Sequence, residues 1–180
     1  MNRLRAKKSA SAFTVFELLV VIIVLVILVT MAVPSFRSVL QNNRTLSLAN
    51  ELASALNLAR SEAIKRGVSV SVCAAANANL NSCGSNWNNG WIIFTNPNED
   101  TNFDNNTTEI LLRIQQILGS GYAMTNTPSS GVATYTSTGF PLSATSNMVF
   151  TISATGCTGN NARSLTITTT GRIISTPIAC

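Results

Sequence analysis

The sequence contains no histidine and few charged residues. Histidine is absent from all 180 positions, and Asp, Glu, Lys and Arg together make up 11% of the chain. The missing histidine removes the side chain that most often serves as a general base, a proton shuttle or a zinc ligand. The charged fraction is less than half of the roughly 25% that is usual in soluble globular domains. Because 46% of the residues are apolar, the composition also excludes an intrinsically disordered chain.

The formal net charge of +5 arises mainly from the first eight residues. Four of the twelve basic residues lie there, namely Arg3, Arg5, Lys7 and Lys8. Beyond them, eight basic residues are balanced by seven acidic ones, so the rest of the chain is almost neutral. The sequence therefore does not predict a protein-wide positive field of the kind that attracts nucleic acids.

A long apolar segment follows this basic tail. From Phe13 to Val33 the only polar residues are Thr14, Glu17 and Thr30. An α-helix of this length spans roughly 30 Å, which matches the hydrocarbon core of a bilayer. The positive-inside rule places the basic tail in the cytoplasm and the rest of the chain on the other side of the membrane.

Two simpler interpretations of this segment fit less well. A secretory signal peptide has a shorter apolar run followed by a small-residue cleavage site, whereas here the small residues 9–12 precede the run. A plain single-pass anchor leaves Glu17 unexplained, because a carboxylate in a membrane helix costs about 2.5–3.5 kcal/mol at the bilayer centre and less near the ends, where Glu17 lies. Such a carboxylate usually has a partner or a function.

The order of these features resembles the class III signal of type IV pilins and type II secretion pseudopilins. The shared elements are a basic leader, a small residue, the motif Phe-Thr-x-x-Glu and a long apolar helix. The resemblance implies that a prepilin peptidase removes residues 1–12 by cutting between Ala12 and Phe13, and that Phe13 is then N-methylated. The family usually has Gly before the cut, where this chain has Ala12.

The same resemblance gives roles to Glu17 and Pro34. Glu17 matches the family's glutamate, which in an assembled filament offsets the terminal amine of a neighbouring subunit. Opposite charges inside an apolar filament core are tolerated only as a pair. Pro34 matches a proline that kinks the helix in family members. Residues 13–35 are therefore expected to form the transmembrane and assembly helix, and residues 36–180 the extracytoplasmic globular domain.

The helix is expected to continue beyond the membrane segment to Arg66. Glu62 and Arg66 form a favourable pair four residues apart, and Gly67 is a typical helix stop. In this second half, apolar residues recur at steps of three and four and form one stripe that would pack on a sheet. The stripe consists of Leu48, Leu52, Leu56 (or Ala55), Ala59 and Ala63.

Alternating apolar and polar residues predict strands in the remainder of the chain. Asn- and Thr-rich loops separate them, notably 76–89 and 96–108, and Gly171 makes the last two either one bent strand or a hairpin. The fold class is therefore α+β and type IV pilin-like: one long N-terminal helix whose second half packs on an antiparallel β-sheet, without a second domain. The predicted strands are 68–73, 91–95, 110–118, 132–136, 148–153, 164–170 and 172–175.

Residues 59–95 resemble one particular family among the pilins and pseudopilins. Three features in this part of the chain are similar to the GspH/FimT family of minor pilins and pseudopilins, which includes FimU-like proteins. They are Ala-Arg-Ser-Glu-Ala-Ile-Lys-Arg-Gly at 59–67, a valine-rich strand ending in Cys73 with Cys83 beyond it, and Trp-x-x-Gly-Trp-Ile-Ile-Phe at 87–94. The residues themselves predict that Trp87 and Trp91 cover the sheet, with carbohydrate stacking as the alternative.

The four cysteines all follow the apolar segment, on the side of the membrane that is expected to be oxidising. Their even number favours disulfides, and pairing neighbours in the sequence gives Cys73–Cys83 and Cys157–Cys180. The alternative is a zinc site of four thiolates. Spacings of ten and twenty-three residues lack the closely spaced cysteine pair of a zinc knuckle, so neither a metal site nor a cofactor is expected.

Two further kinds of site are a calcium-binding loop and a catalytic centre. Asp100-Thr-Asn-Phe-Asp104 is similar to the start of a calcium loop, but Leu111 stands where an EF-hand needs its bidentate Glu, and Glu109 is out of register. A solvated loop is the preferred interpretation. Without histidine, no candidate nucleophile has an evident activating base, so no catalytic residues are assigned and the protein is predicted not to be an enzyme.

Arg163 and Arg172 are the remaining candidates for a binding site. Some FimT-type relatives bind DNA through a C-terminal Gly-Arg-x-Arg motif, and this chain has Gly-Arg-Ile-Ile at 171–174, in which Ile174 replaces the second arginine. Two arginines on a nearly neutral domain make few phosphate contacts. No aromatic residue near them in the sequence would stack on bases. DNA binding is therefore the weaker alternative.

The sequence as a whole predicts a minor pilin that acts in the assembly or initiation of a type IV pilus through its N-terminal helix. Its expected partners are other pilins, prepilin peptidase and, before assembly, the bacterial inner membrane. It would cross that membrane once, with its C-terminal domain in the periplasm, and then enter a pilus or pseudopilus at or beyond the cell envelope. The alternatives are a DNA-binding minor pilin for natural transformation and a GspH-type pseudopilin of a type II secretion system.

Overall fold

The computed structural model describes residues 13–180, except for residues 78, 105, 117 and 144. Within this part of the chain, one α-helix is followed by nine β-strands. The leader predicted at residues 1–12, with Ala12 at the expected cleavage site, lies outside the described residues.

The helix α1 spans Val15–Arg66. At its start, the backbone N–H of Glu17 donates a hydrogen bond to Thr14 Oγ1 at 3.2 Å, and the acidic side chain lies in the first turn, where the helix dipole favours it. At its end, Lys65 and Arg66 occupy the last turn, where the dipole favours basic residues.

The helix ends where the sequence predicts, at the residue before Gly67. Gly67 has a φ of 67°, the left-handed conformation that glycine adopts without a steric penalty after a helix. The pair predicted in the last turn is present, since the Arg66 guanidinium donates a hydrogen bond to a carboxylate oxygen of Glu62. The Arg66 guanidinium, which donates this bond, holds the pKa of Glu62 below its usual value.

The chain divides into two compact units next to Arg37. The first unit contains the N-terminal part of α1. The second unit, residues 38–180, contains the rest of α1 and all of the described strands.

The first sheet is built around β1, Val70–Ala75. The other strands are β2 (Cys83–Gly84), β3 (Trp91–Thr95), β4 (Leu111–Gln115) and β6 (Val132–Tyr135). On one side β1 pairs antiparallel with β3, which pairs in turn with β4. It also pairs antiparallel with β2 at residues 74–75 and with β6 at residues 70–73.

The second sheet consists of four antiparallel strands, β5 (Tyr122–Thr127), β7 (Met148–Ala154), β8 (Ala162–Ile167) and β9 (Ile173–Ile178). Their order in the sheet is β5-β7-β8-β9. The last two strands form a hairpin whose turn includes Gly171, so the hairpin is the correct choice between the two arrangements left open by the sequence.

The main hydrophobic core lies between the second half of α1 and the two sheets. The predicted stripe on α1 is buried at every position, with Leu52, Leu56, Ala59 and Ala63 fully inaccessible. It packs with residues of both sheets: Val70, Val72 and Ile93 from the first, and Phe150, Ile152 and Leu165 from the second. The prediction that the helix stripe packs on a sheet is confirmed.

A second, smaller core explains why every residue of β1 is buried. Alternate residues of a strand point to opposite faces, and while Val70, Val72 and Ala74 join the main core, Cys73 and Ala75 join this second one. Its other buried members are Leu80, Ile92, Phe94 and Phe103. Both faces of β1 are therefore buried against apolar residues, and neither face is exposed to solvent.

Candidate functional site

The N-terminal part of α1 exposes apolar side chains on all sides. Every residue from Phe13 to Val33 is exposed, including Phe16 at 76% and Leu28 at 63%. By length and composition, α1 is the one helix among the described residues that is able to cross a membrane. A helix that is apolar all round is stable only when lipid or protein covers it.

Glu17 is the single charged residue between Phe13 and Phe36. The salt bridges formed within residues 13–180 do not include its carboxylate. The first turn of α1 thus presents one acidic group on an otherwise apolar, exposed surface. Of the two predicted assembly residues, Pro34 has its backbone within the helix.

Arg163 is directed toward the helix rather than outward. Its Nη2 donates a hydrogen bond to Asn42 Oδ1 at 2.7 Å, and its Nε is buried without a partner. Nearby, Asn161 donates from Nδ2 to Ser38 Oγ at 2.8 Å, and its backbone carbonyl accepts from Thr45 Oγ1 at 2.8 Å. Arg163 therefore belongs to a set of contacts that attach β8 to α1, which is a structural role.

Arg172 lies in the turn between β8 and β9 and is exposed. Its backbone N–H donates to Thr168 Oγ1 at 3.0 Å, and its carbonyl oxygen accepts from the Thr168 backbone N–H at 2.9 Å. Arg60 of α1 supports the same turn by donating to the carbonyl oxygens of Gly171 at 3.0 Å and Thr170 at 3.3 Å. The position of the second motif arginine is taken by Ile174, which is 38% exposed.

The structure does not bring Arg163 and Arg172 together. Ile167 and Ile173 form the last residue pair before the turn, whereas Arg163 pairs with Pro177 near the other end of the hairpin. Four residues of strand separate Arg163 from Ile167, a distance of about 13 Å along the strand. A single phosphate-binding patch that uses both side chains is therefore not formed.

All four cysteines are paired, Cys73 with Cys83 and Cys157 with Cys180. The Cα atoms are 5.6 Å apart in each pair. The first disulfide joins β1 to β2, and the second attaches the C-terminal residue to the loop between β7 and β8. This pairing leaves no thiolate for the zinc site considered as the alternative.

The two tryptophans belong to the core. Trp87 and Trp91 are each 1% exposed. The Trp87 indole N–H donates to the Ser130 carbonyl at 3.1 Å, and its ring packs edge-on against Phe150 with the centroids 4.8 Å apart. Neither ring offers a face to a sugar, so the carbohydrate alternative is wrong.

The loop between β3 and β4 gathers three carboxylates. Asp100, Asp104 and Glu109 each place a carboxylate oxygen within 4.8 Å of the other two. Glu109 is 4% exposed; its Oε2 accepts a hydrogen bond from the Asp104 backbone N–H at 2.7 Å, and its Oε1 is buried without a partner. Asp104 is exposed, as in the solvated loop expected from the sequence, whereas Glu109 is buried and lies beside the two aspartates although its spacing does not match an EF-hand.

The architecture defines the class of type IV pilin-like proteins, in which the second half of one long helix packs on antiparallel sheets. Residues 48–171 match the model of the family described as type II transport protein GspH. The match covers more than half of the chain, which therefore belongs to the GspH family of type IV minor pilins and pseudopilins. This family comprises structural filament subunits rather than enzymes, and the predicted fold class is confirmed.

The fold is also similar to a crystal structure of the type IV minor pilin FimU from Pseudomonas aeruginosa strain PAO1. The two chains are 25% identical with a TM-score of 0.57, and the match covers 75% of this chain and 90% of FimU. A second crystal form of FimU gives 24% identity and a TM-score of 0.56 over 73% of this chain and 92% of that one. No curated protein matches the sequence.

Proposed function

We propose that this protein is a minor pilin that enters a type IV pilus through its N-terminal helix. The observation that carries the proposal is the exposed apolar surface of α1 from Phe13 to Val33, interrupted by one charge at Glu17. The likeness to the minor pilin FimU supports a pilus as the destination. Before assembly the helix holds the subunit in the bacterial inner membrane as a single span, with the globular domain in the periplasm.

The same helix surface serves in the membrane and in the filament. Lipid tails and the apolar side chains of neighbouring helices are equally apolar, so transfer between them exposes little new surface to water. In water, by contrast, each large aliphatic side chain of this segment would cost roughly 1.5–3 kcal/mol. The helix therefore passes from one apolar environment to the other and is not released into solution.

Glu17 determines how the helix docks. Prepilin peptidase removes residues 1–12, and the α-amino group of Phe13 then carries a positive charge and an N-methyl group. A carboxylate in a membrane helix is unfavourable by about 2.5–3.5 kcal/mol at the centre and by less near the ends, where Glu17 lies. The amine of a neighbouring subunit offsets this cost, so the pair fixes the axial position of one helix against the next.

The test replaces Glu17 with Gln, which keeps the shape and removes the charge. The Glu17→Gln variant inserts into the membrane at least as well as the wild type, and its amount in sheared filaments falls at least tenfold, as expected for the loss of about 1.4 kcal/mol or more. Glu99→Gln, which removes an exposed carboxylate from the other unit, is the matched control and incorporates normally. Wild-type incorporation of Glu17→Gln would contradict the proposed role.

A pseudopilin of a type II secretion system is the alternative that the description of the matched family supports. The helix, the fold and the processing are the same in both cases, so the distinction lies in the filament that the subunit joins. Affinity purification of the assembled chain, followed by identification of the major subunit that accompanies it, separates the two. A major pilin supports the pilus, and a major pseudopilin supports the secretion system.

DNA binding during natural transformation is the second candidate function, and the exposure of Arg172 supports it. A gel shift at low salt compares the wild type with Arg172→Gln and Arg163→Gln. If DNA is bound, Arg172→Gln weakens binding, whereas Arg163→Gln leaves it unchanged because that guanidinium is directed toward α1. The absence of a shift for the wild type would exclude this function.

A further inference from the structure

The acidic cluster in the β3–β4 loop has no role in the proposed filament function. It consists of Asp100, Asp104 and Glu109, whose carboxylate oxygens lie within 4.8 Å of one another. Like charges at this distance repel, and the salt bridges formed within the described residues do not include any of the three. The loop therefore concentrates negative charge without a basic side chain to balance it.

Glu109 is the member of the cluster that points to a ligand. It is 4% exposed, and only one of its two carboxylate oxygens is satisfied, by the Asp104 backbone N–H at 2.7 Å. The other, Oε1, is buried and accepts no hydrogen bond. A buried carboxylate oxygen has lost its water and normally gains a donor or a cation in exchange. Among the described residues, no donor takes the place of that water at Glu109 Oε1.

The oxygen-only donor set selects the type of cation. Carboxylates without nitrogen or sulfur ligands favour a hard ion such as Ca²⁺ over zinc or copper. Two ligands of one Ca²⁺, each at about 2.4 Å, lie no more than about 4.8 Å apart, and each pair of the three carboxylate oxygens meets this limit. Mg²⁺ binds at about 2.0–2.1 Å in a strict octahedron and requires a tighter set of ligands.

The loop is held in place independently of a cation. Phe103, between the two aspartates, is buried against Phe94 with the ring centroids 5.0 Å apart. The Asn106 side-chain oxygen accepts from the Glu109 backbone N–H at 3.0 Å, and Asp100 Oδ1 accepts from the Asn102 N–H at 3.0 Å. Asp100 Oδ1 keeps a second lone pair, so this hydrogen bond does not prevent it from coordinating a metal.

We infer that Asp100, Asp104 and Glu109 bind one Ca²⁺, which neutralises the cluster and fixes the loop between β3 and β4. Three protein carboxylates leave part of the coordination shell of Ca²⁺ to water. The affinity expected for such a site is that of extracellular calcium modules, with a Kd on the order of 10⁻⁴–10⁻³ M.

The test is a calcium titration of the full chain in an uncharged detergent, followed by calorimetry and by thermal unfolding. The wild type binds one Ca²⁺ per chain, and its Tm rises with calcium concentration as expected for a ligand that binds only the folded state. Glu109→Gln and Asp104→Asn each weaken binding at least tenfold. Asp104 is exposed, so its variant folds whether or not Glu109 tolerates replacement.

Glu99→Gln is the matched control, because it removes an equal charge from the same loop but from outside the cluster. Its Kd stays within twofold of the wild-type value. A second readout separates metal binding from a merely structural role: without calcium, Glu109→Gln has a higher Tm than the wild type because repulsion is relieved, and with saturating calcium the order reverses.

Three results would overturn the inference. One is a wild-type chain that gives no binding heat and no calcium-dependent rise in Tm. Another is an equal loss of binding in Glu99→Gln, which would indicate general screening of the loop charge. The third is a tighter response to Mg²⁺ than to Ca²⁺, since the inference assigns the site to Ca²⁺.

Discussion

At the scale of single residues, Tyr135 is buried with a hydroxyl group that has no hydrogen-bond partner. Burial raises the pKa of Tyr135 to about 12, against a weaker opposing effect of the Arg60 charge. The pKa in the unfolded chain is about 10. Because the folded-state pKa is the higher one, the protein has full stability from this group below pH 10 and loses it as the pH rises toward 12.

The Tyr135→Phe variant tests this dependence. At pH 8 its free energy of unfolding equals that of the wild type or exceeds it by up to about 1 kcal/mol, since an unsatisfied hydroxyl is removed. At pH 11 the wild type has lost about 1.4 kcal/mol relative to the variant. Urea unfolding at the two pH values measures the difference, with Tyr122→Phe as the control. Equal alkaline losses in wild type and Tyr135→Phe would rule out Tyr135 as the titrating group.

Residue roles that depend on distant partners could not be read from the sequence. Arg163 and Arg172 look equivalent there, and only the fold shows that Arg163 contacts Asn42, 121 positions away, while Arg172 is exposed. The spacing of Glu109 does not match the EF-hand motif, and only the fold shows that the loop brings its carboxylate close to those of the two aspartates. The roles of Phe13 and Glu17 are different, because a local motif is enough to predict them.

At the scale of elements, the second half of α1 depends on its buried stripe. Leu52 is fully inaccessible in the main core. The Leu52→Ala variant is therefore expected to lose about 2–5 kcal/mol of unfolding free energy, from lost burial and from the cavity that remains. Asn57→Ala, at an exposed position of the same helix, changes stability by less than about 0.5 kcal/mol. Similar midpoints for both variants in urea would contradict the packing described here.

The disulfide Cys157–Cys180 restrains the C-terminal end of the second sheet. It closes a loop with a sequence separation of 23, and in the chain-entropy model such a cross-link contributes about 3 kcal/mol. The double variant Cys157→Ser/Cys180→Ser should show this loss in urea without reductant. Replacing Cys73 and Cys83 should cost more, because Cys73 is buried in the second core and a serine there would bury a hydroxyl. The reverse order of stability would contradict this ranking.

Elements with a clear pattern of apolar residues were predicted correctly, and elements without such a pattern were not predicted. Gly67 predicts the end of α1, alternating residues predict β1, β6 and β7, and a continuous apolar run predicts β3. β5 was not predicted, because of its six residues only Met124 is fully buried and the rest give no alternating pattern. β2 has two residues, too few for any pattern, and it is defined by its pairing with β1.

At the scale of the whole molecule, the two units differ in what covers their apolar surface. Residues 38–180 bury their own core between α1 and two sheets. The helical segment before Arg37 exposes its apolar residues and relies on another molecule or on lipid. This segment can be identified from the sequence alone, because its apolar composition is enough. The acidic cluster in the β3–β4 loop becomes visible only when the fold brings its carboxylates together. The function proposed here follows from that contrast.

Mass spectrometry of the chain recovered from sheared filaments tests the proposed function most directly. A filament subunit is expected to begin at Phe13, carry one N-methyl group and retain the whole of α1. Filament-bound chains that still contain residues 1–12, or chains released into the medium without the apolar segment, would contradict the proposed function.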